Sequence, residues 1–141
     1  MRVILDVNVW ISALLWGGVP DQVLILAESK RISIFASEAL FLELETTLRR
    51  AKFQSKFNSL NLSVDNVINA VKDLIQICPT TSVDAPQLRD SKDTIVLATA
   101  IVADAQVIIT GDLDLLVLIE FNSIPILTPQ EFLSRYFSTL P

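Results

Sequence analysis

Short apolar runs and longer amphipathic stretches alternate along this chain. Residues 2–5, with Val3-Ile4-Leu5 at their centre, read as a buried strand. Pro20 and Asp21 open a helix to about residue 30, with proline in the first turn, where its missing N–H costs nothing. Residues 32–36 read as a second strand, and Ser37 then caps a helix to about residue 50. Ser63 caps another. In it Val64, Val67, Ile68, Val71, Leu74 and Ile75 recur at helical spacing, and Pro79 stops the helix just after Cys78. The segment 80–90 contains Pro86 and small polar residues and reads as a loop with room for a short edge strand. A mostly apolar helix over about 92–103 leads to a strand at 107–110 that ends at Gly111. A last strand at 124–127 precedes a terminal helix opened by Thr128-Pro129. Strands alternating with helices predict right-handed crossovers and a mostly parallel sheet covered on both faces. No repeat, low-complexity tract or linker interrupts the pattern, so residues 1–141 are expected to form one domain.

Acids stand at the breaks of this pattern. Asp6 closes the first apolar run and is followed at once by Val7-Asn8-Val9. The C-terminal edge of an open α/β sheet is where ligands bind. An acid there also has a plain use, as an Asx-turn or helix cap, and the two readings weigh equally. Glu43 and Glu45 flank the Leu40-Leu44-Leu48 stripe of their helix, so periodicity does not choose between them. Taken alone, Glu43 reads as a solvated helix-face residue. Asp93, in the first turn of its helix, suits the helix dipole without any further role. Asp112 follows Thr110-Gly111 and can cap the residues from Leu113 on, with Asp114 two positions later. Together the acids point further. Several carboxylates at one sheet edge repel one another, and a divalent cation relieves that repulsion.

Composition narrows the chemistry. The chain has no histidine, which removes Ser-His-Asp and Cys-His catalysis and histidine-containing zinc sites. Oxygen ligands alone favour Mg2+ or Mn2+. A net charge of −5 leaves no broad basic footprint for nucleic acid, so a phosphate polymer would need a metal and local cations. The single cysteine, Cys78, excludes an internal disulfide and fits a reducing cytoplasm. Asp6 and Asn8 interrupt the N-terminal apolar stretch, against a signal peptide, and no apolar run reaches membrane-spanning length. The expectation is a soluble protein with no membrane segment.

Five segments in order resemble the PIN domain family, and specifically the PIN-family toxins of bacterial toxin–antitoxin pairs. They are Val3-Ile4-Leu5-Asp6-Val7-Asn8-Val9 with Ile11-Ser12-Ala13-Leu14, and Leu42-Glu43-Leu44 with Leu48-Arg49-Arg50 and Lys52-Phe53. Arg89-Asp90-Ser91-Lys92-Asp93 with Val96-Leu97-Ala98 follows, then Ile109-Thr110-Gly111-Asp112-Leu113-Asp114. Ile126-Leu127-Thr128-Pro129 with Glu131-Phe132-Leu133 is the last. The resemblance implies a three-layer α/β/α domain with about five strands. It implies a metal-dependent endoribonuclease that leaves a 5′-phosphate and a 3′-hydroxyl. By match, Asp6, Glu43, Asp93 and Asp112 are the catalytic, metal-binding quartet, with Asn8, Thr110 and Asp114 as orienting supports. Val7 departs from the family, which often has Thr there. The toxin role implies a cognate antitoxin and, by analogy, a homodimer, for which the apolar Leu42 is a contact hint.

Arg49, Arg50, Lys52 and Lys56 form a basic segment that could track an RNA backbone, interleaved with Phe53 and Phe57. The plain alternative is a solvated helix end with its phenylalanines in the core, and the aromatics are assigned there. Trp10 and Trp16 are likewise assigned to the core. The competing function is a non-catalytic PIN fold that binds RNA or serves assembly. A haloacid-dehalogenase-type phosphatase is disfavoured because Asn8 stands where a second Asp is needed, and a receiver domain needs paired acids early.

Overall fold

A computed structural model describes residues 1–82 and 91–138. The elements run β1 (Arg2–Leu5), α1 (Val7–Leu15), α2 (Gly18–Glu28), β2 (Ser33–Ser37), α3 (Glu38–Leu48), a 3-10 turn (Ala51–Phe53) and α4 (Gln54–Ser59). There follow α5 (Val64–Leu74), β3 (Ile75–Cys78), α6 (Ser91–Val102), β4 (Val107–Ile109), α7 (Leu113–Leu116), β5 (Glu120–Phe121), β6 (Ile124–Leu127) and α8 (Pro129–Tyr136). Strand order is β3-β2-β1-β4-β6-β5, parallel except for the β5–β6 pair.

The two central strands explain why both faces need helices. Val3, Ile4, Leu5, Val107, Ile108 and Ile109 are all fully buried, so no alternation of polar and apolar positions survives. Such runs belong to parallel strands covered on both sides. Helix α6 packs on β1, β2 and β4, and α8 lies against β6. Ser37 locks α3 to this framework. Its hydroxyl accepts the Leu40 N–H at 3.1 Å and meets the Thr99 hydroxyl of α6 at 2.7 Å, in the interior. From β1 the chain steps outward through β2 to β3, then returns to lay β4 on the opposite side of β1. The switch point therefore lies between β1 and β4, where an open parallel sheet leaves a crevice.

The sheet has six strands rather than about five, and three local expectations change. Helix α5 stops at Leu74, and the chain enters β3 directly, with Ile75 extended at φ −98° and ψ 158°. Val71 and Ile75 are both buried and stand four residues apart, so helical spacing alone carries the helix one turn too far. Strand β5 joins β6 through Asn122 and Ser123, both at positive φ (49° and 64°). This is the geometry of a two-residue hairpin turn, here without the glycine that usually signals it. Helix α1 carries no predicted element because six of its nine residues are buried, leaving no polar stripe to reveal a helical period. The anticipated loop falls mostly on residues 83–90, outside the described residues. Among those described, no single helix is long and apolar enough to cross a membrane.

Thr128 and Glu131 open α8 with a reciprocal capping box. The Glu131 N–H donates to the Thr128 hydroxyl at 3.1 Å, and the Thr128 N–H donates to the Glu131 carboxylate at 3.0 Å. The Thr128 N–H, and after it the Thr128 hydroxyl, hold the Glu131 carboxyl below its ordinary value of 4.5. A depressed folded value means that the ionised cap stabilises the fold above pH 4.5 and is lost as pH falls through the lower folded value. Glutamine keeps the box without titrating. Glu131→Gln should therefore flatten the acid side of a melting-temperature profile relative to wild type. Parallel profiles from neutral pH to about pH 3 would show that the cap carries no pH dependence.

Candidate metal centre

Asp6 is the residue type that most readily caps a helix, and it does occupy the N-cap of α1, yet its side chain makes no capping hydrogen bond. The carboxylate turns across the sheet instead. Leu5 pairs with Ile109, and the Asp6 N–H donates to the Ile109 carbonyl at 3.0 Å, so Asp6 and Thr110 leave β1 and β4 side by side. The Thr110 hydroxyl donates to Asp6 Oδ2 at 2.7 Å and accepts the Asp112 N–H at 3.0 Å. One buried hydroxyl thus ties the two strand-end acids together. Asp6 is 8% exposed, a burial an ionised carboxylate tolerates only with such donors.

Asp112 does cap its helix, accepting the Asp114 N–H at 2.9 Å. The short turn of α7 brings the Asp114 carboxylate around beside it. Asp93 arrives from the first turn of α6 and is 4% exposed. Ligand oxygens of Asp93, Asp112 and Asp114 all lie within 4.8 Å of one another. At an effective dielectric near 20, each pair of charges at that spacing repels by about 3 kcal/mol. Three carboxylates whose oxygens gather this closely have the hard oxygen donors that Mg2+ or Mn2+ takes, and Asp93, Asp112 and Asp114 would hold such a cation. Asp114 is expected from sequence as an orienting support, and its carboxylate lies within ligand reach.

A cavity of ≈ 180 Å³ is lined by Asp6, Val7, Asn8, Glu43, Thr47, Arg50, Lys92, Asp93 and Asp112. The four acids of the expected quartet therefore share one wall. Glu43 faces it, with Lys92 Nζ 3.6 Å from its carboxylate, whereas Glu45 lies 3.5 Å from the Arg49 guanidinium. Asn8 stands exposed at the rim. Val7 is an apolar part of the lining.

The expected basic segment divides. Arg49 binds Asp65 at 2.7 Å as well as Glu45, and the Asp65 contact is the main reason its guanidinium holds its proton even more tightly than usual. Arg50 lines the cavity. Lys52 and Lys56 lie over aromatic rings, 5.1 Å from the centroid of Phe53 and 5.2 Å from that of Trp16. Phe57 is in the core and Phe53 is half-buried. Trp10 is 1% exposed, as expected, but Trp16 is 59% exposed and is not a core residue. It is the C-cap residue of α1, directly after the buried Leu15, so the apolar pattern there does not tell the buried position from the exposed one.

Sequence reasoning assigned no role to Lys92 or Thr47. Lys92 could have been noticed as the cation adjoining Asp93 in the first turn of α6. The Thr47 hydroxyl donates to the Glu43 carbonyl at 2.8 Å, the back-bond that a threonine inside a helix makes to the residue four before it. Arg89 and Asp90 of the anticipated motif lie outside the described residues.

A family model described as PIN domain matches residues 2–114. No curated protein matches the sequence. One chain in the crystal structure of VapBC2 from Rickettsia felis, bound to a DNA fragment from their promoter, aligns with a TM-score of 0.61. The alignment covers 89% of this chain and 97% of that one at 14% identity, a likeness of fold. With the family's pattern matched over residues 2–114 and acids gathered at the switch point of its sheet, the chain belongs to the PIN domain family.

Proposed function

We propose that the chain is a Mg2+- or Mn2+-dependent endoribonuclease, the toxin of a toxin–antitoxin pair. The observation that carries this reading is the meeting of Asp93, Asp112 and Asp114, the first two of which line one cavity with Asp6 and Glu43. In this reading Asp6, Glu43, Asp93 and Asp112 would hold the ion, with Asp114 also within ligand reach. When bound, it supplies Lewis acidity toward the phosphodiester and offsets the negative charge of the cluster. The Thr110 hydroxyl fixes the direction of Asp6, and the Asp112 cap fixes the start of α7. Arg50 and Lys92, the cations of the cavity wall, receive the non-bridging phosphate oxygens. Hydrolysis leaves a 5′-phosphate and a 3′-hydroxyl.

The VapBC2 structure is that of a complex on promoter DNA, which supports a cognate antitoxin as partner here. Leu42, 61% exposed, borders an apolar groove beside the cavity together with Ala39 and Ile95. That surface suits a partner protein, and a homodimer acting in the cytoplasm completes the reading.

The test is cleavage of a mixed-sequence RNA in Mn2+, Mg2+ or EDTA, beside Asp6→Asn and Asp93→Asn. Expected is cleavage that needs metal and falls by about a hundredfold or more in each variant. Cleavage that persists in both variants would assign it elsewhere. No cleavage together with no calorimetric binding of Mn2+ would favour a non-catalytic PIN module.

A further inference from the structure

Trp16, Phe53, Lys52 and Lys56 come from two separate segments and meet on the surface. The Trp16 and Phe53 rings stand edge to face, with centroids 6.2 Å apart at 70°. Lys56 lies over the Trp16 ring and Lys52 over the Phe53 ring. A single exposed aromatic residue is ordinary. Here an exposed indole, a half-buried phenyl ring and two ammonium groups share one patch on a chain of net charge −5. Aromatic faces flanked by cations are the makings of a single-strand binding surface, where bases stack and phosphates meet lysines.

The patch also leads to the acidic cavity. Arg50 lines the cavity, and the Phe53 N–H donates to the Arg50 carbonyl at 3.0 Å, so one tight turn separates the cavity wall from the first ring. Helix α1 gives a second link. Val7 and Asn8 at its start line the cavity, and Trp16 follows its last residue about 14 Å away. A strand of a few nucleotides spans that distance.

We infer that Trp16 and Phe53, with Lys52 and Lys56, form a stacking platform that holds single-stranded RNA beside the cleavage centre. This rests on the ribonuclease reading for its substrate. Arg49 has no part in the platform, because Asp65 and Glu45 hold it.

The platform is testable without catalysis. Trp10 is buried, so solvent-exposed tryptophan emission reports Trp16. In EDTA, a short oligouridylate at low salt should quench that emission saturably, and added salt should weaken the effect. Trp16→Ala should lose roughly ten- to a hundredfold in affinity for the same oligouridylate, read by anisotropy of a labelled strand. Lys52→Glu with Lys56→Glu should weaken binding while keeping both tryptophans. In metal-dependent cleavage, Trp16→Ala should raise KM and leave kcat near wild type. Cleavage by wild type with no quenching and an unchanged KM in Trp16→Ala would overturn the platform and leave the nuclease standing. Quenching without any cleavage would overturn the nuclease and keep the platform as an RNA-binding surface. Quenching equal at low and high salt would overturn the role of the lysines and with it the platform as drawn.

Discussion

Asp112→Asn is expected to lose metal-dependent cleavage by about two to three orders of magnitude without losing stability. The side chain has two tasks that this substitution separates. As N-cap of α7 it accepts the Asp114 N–H, and asparagine, whose amide oxygen accepts equally well, ranks beside aspartate at that position. As a charge it stands within 4.8 Å of ligand oxygens of Asp93 and Asp114, and asparagine removes it. In EDTA the variant should melt at or above the wild-type temperature, because one repelling carboxylate is gone. In Mn2+ the order reverses. A ligand at a hundredfold its dissociation constant stabilises the folded state by about 2.7 kcal/mol, and the variant should forfeit most of that gain. Melting curves with and without Mn2+, beside single-turnover cleavage, decide the matter. A variant that cleaves within about threefold of wild type would remove Asp112 from the chemistry.

Trp10→Ala should have the largest effect on stability, about 3–5 kcal/mol. Trp10 is among the largest fully buried side chains, and its helix grows directly out of the Asp6 position: the Trp10 N–H donates to the Asp6 carbonyl at 3.2 Å. The indole borders a groove of ≈ 370 Å³ shared with Leu14, Leu24 and Val71, into which neighbours can partly relax. The lower end of the range, with a melting temperature lower by roughly 10 °C, is therefore expected. Trp16→Ala is its control. The same truncation at an exposed site should cost less than about 1 kcal/mol. Urea midpoints for both variants test the contrast, and equal losses would contradict the assignment of one indole to the core and the other to the surface.

Much of this was legible in the chain because parallel strands announce themselves. Continuous apolar runs bounded by acids gave β1 and β4, and the acids at their ends proved to be neighbours. Helix α1 was illegible for the converse reason, since a segment buried nearly all round has no periodic contrast. Strand β3 hid behind a helical spacing that its first residue also satisfies. In the site, Glu43 and Glu45 were equivalent by period. The family pattern selects Glu43, and the fold gives the physical reason, with Glu43 facing the cavity and Glu45 drawn toward Arg49. The family pattern makes Asp114 an orienting support. The four-residue turn of α7 is what swings it into reach. Thr110 was named from the family pattern, but its simultaneous bonds to Asp6 and Asp112 are a tertiary fact.

The hydroxyl of Thr110 reaches a partner 104 positions earlier in the chain. Closing a loop of that length costs roughly 4 kcal/mol in chain entropy before the pairing of β1 with β4 repays it. Asp6, at the end of β1, precedes Asp112 and Asp114 by more than a hundred positions in the sequence. The cluster therefore exists only in the folded sheet: until β4 lies against β1, Asp6 stands apart from Asp112 and Asp114.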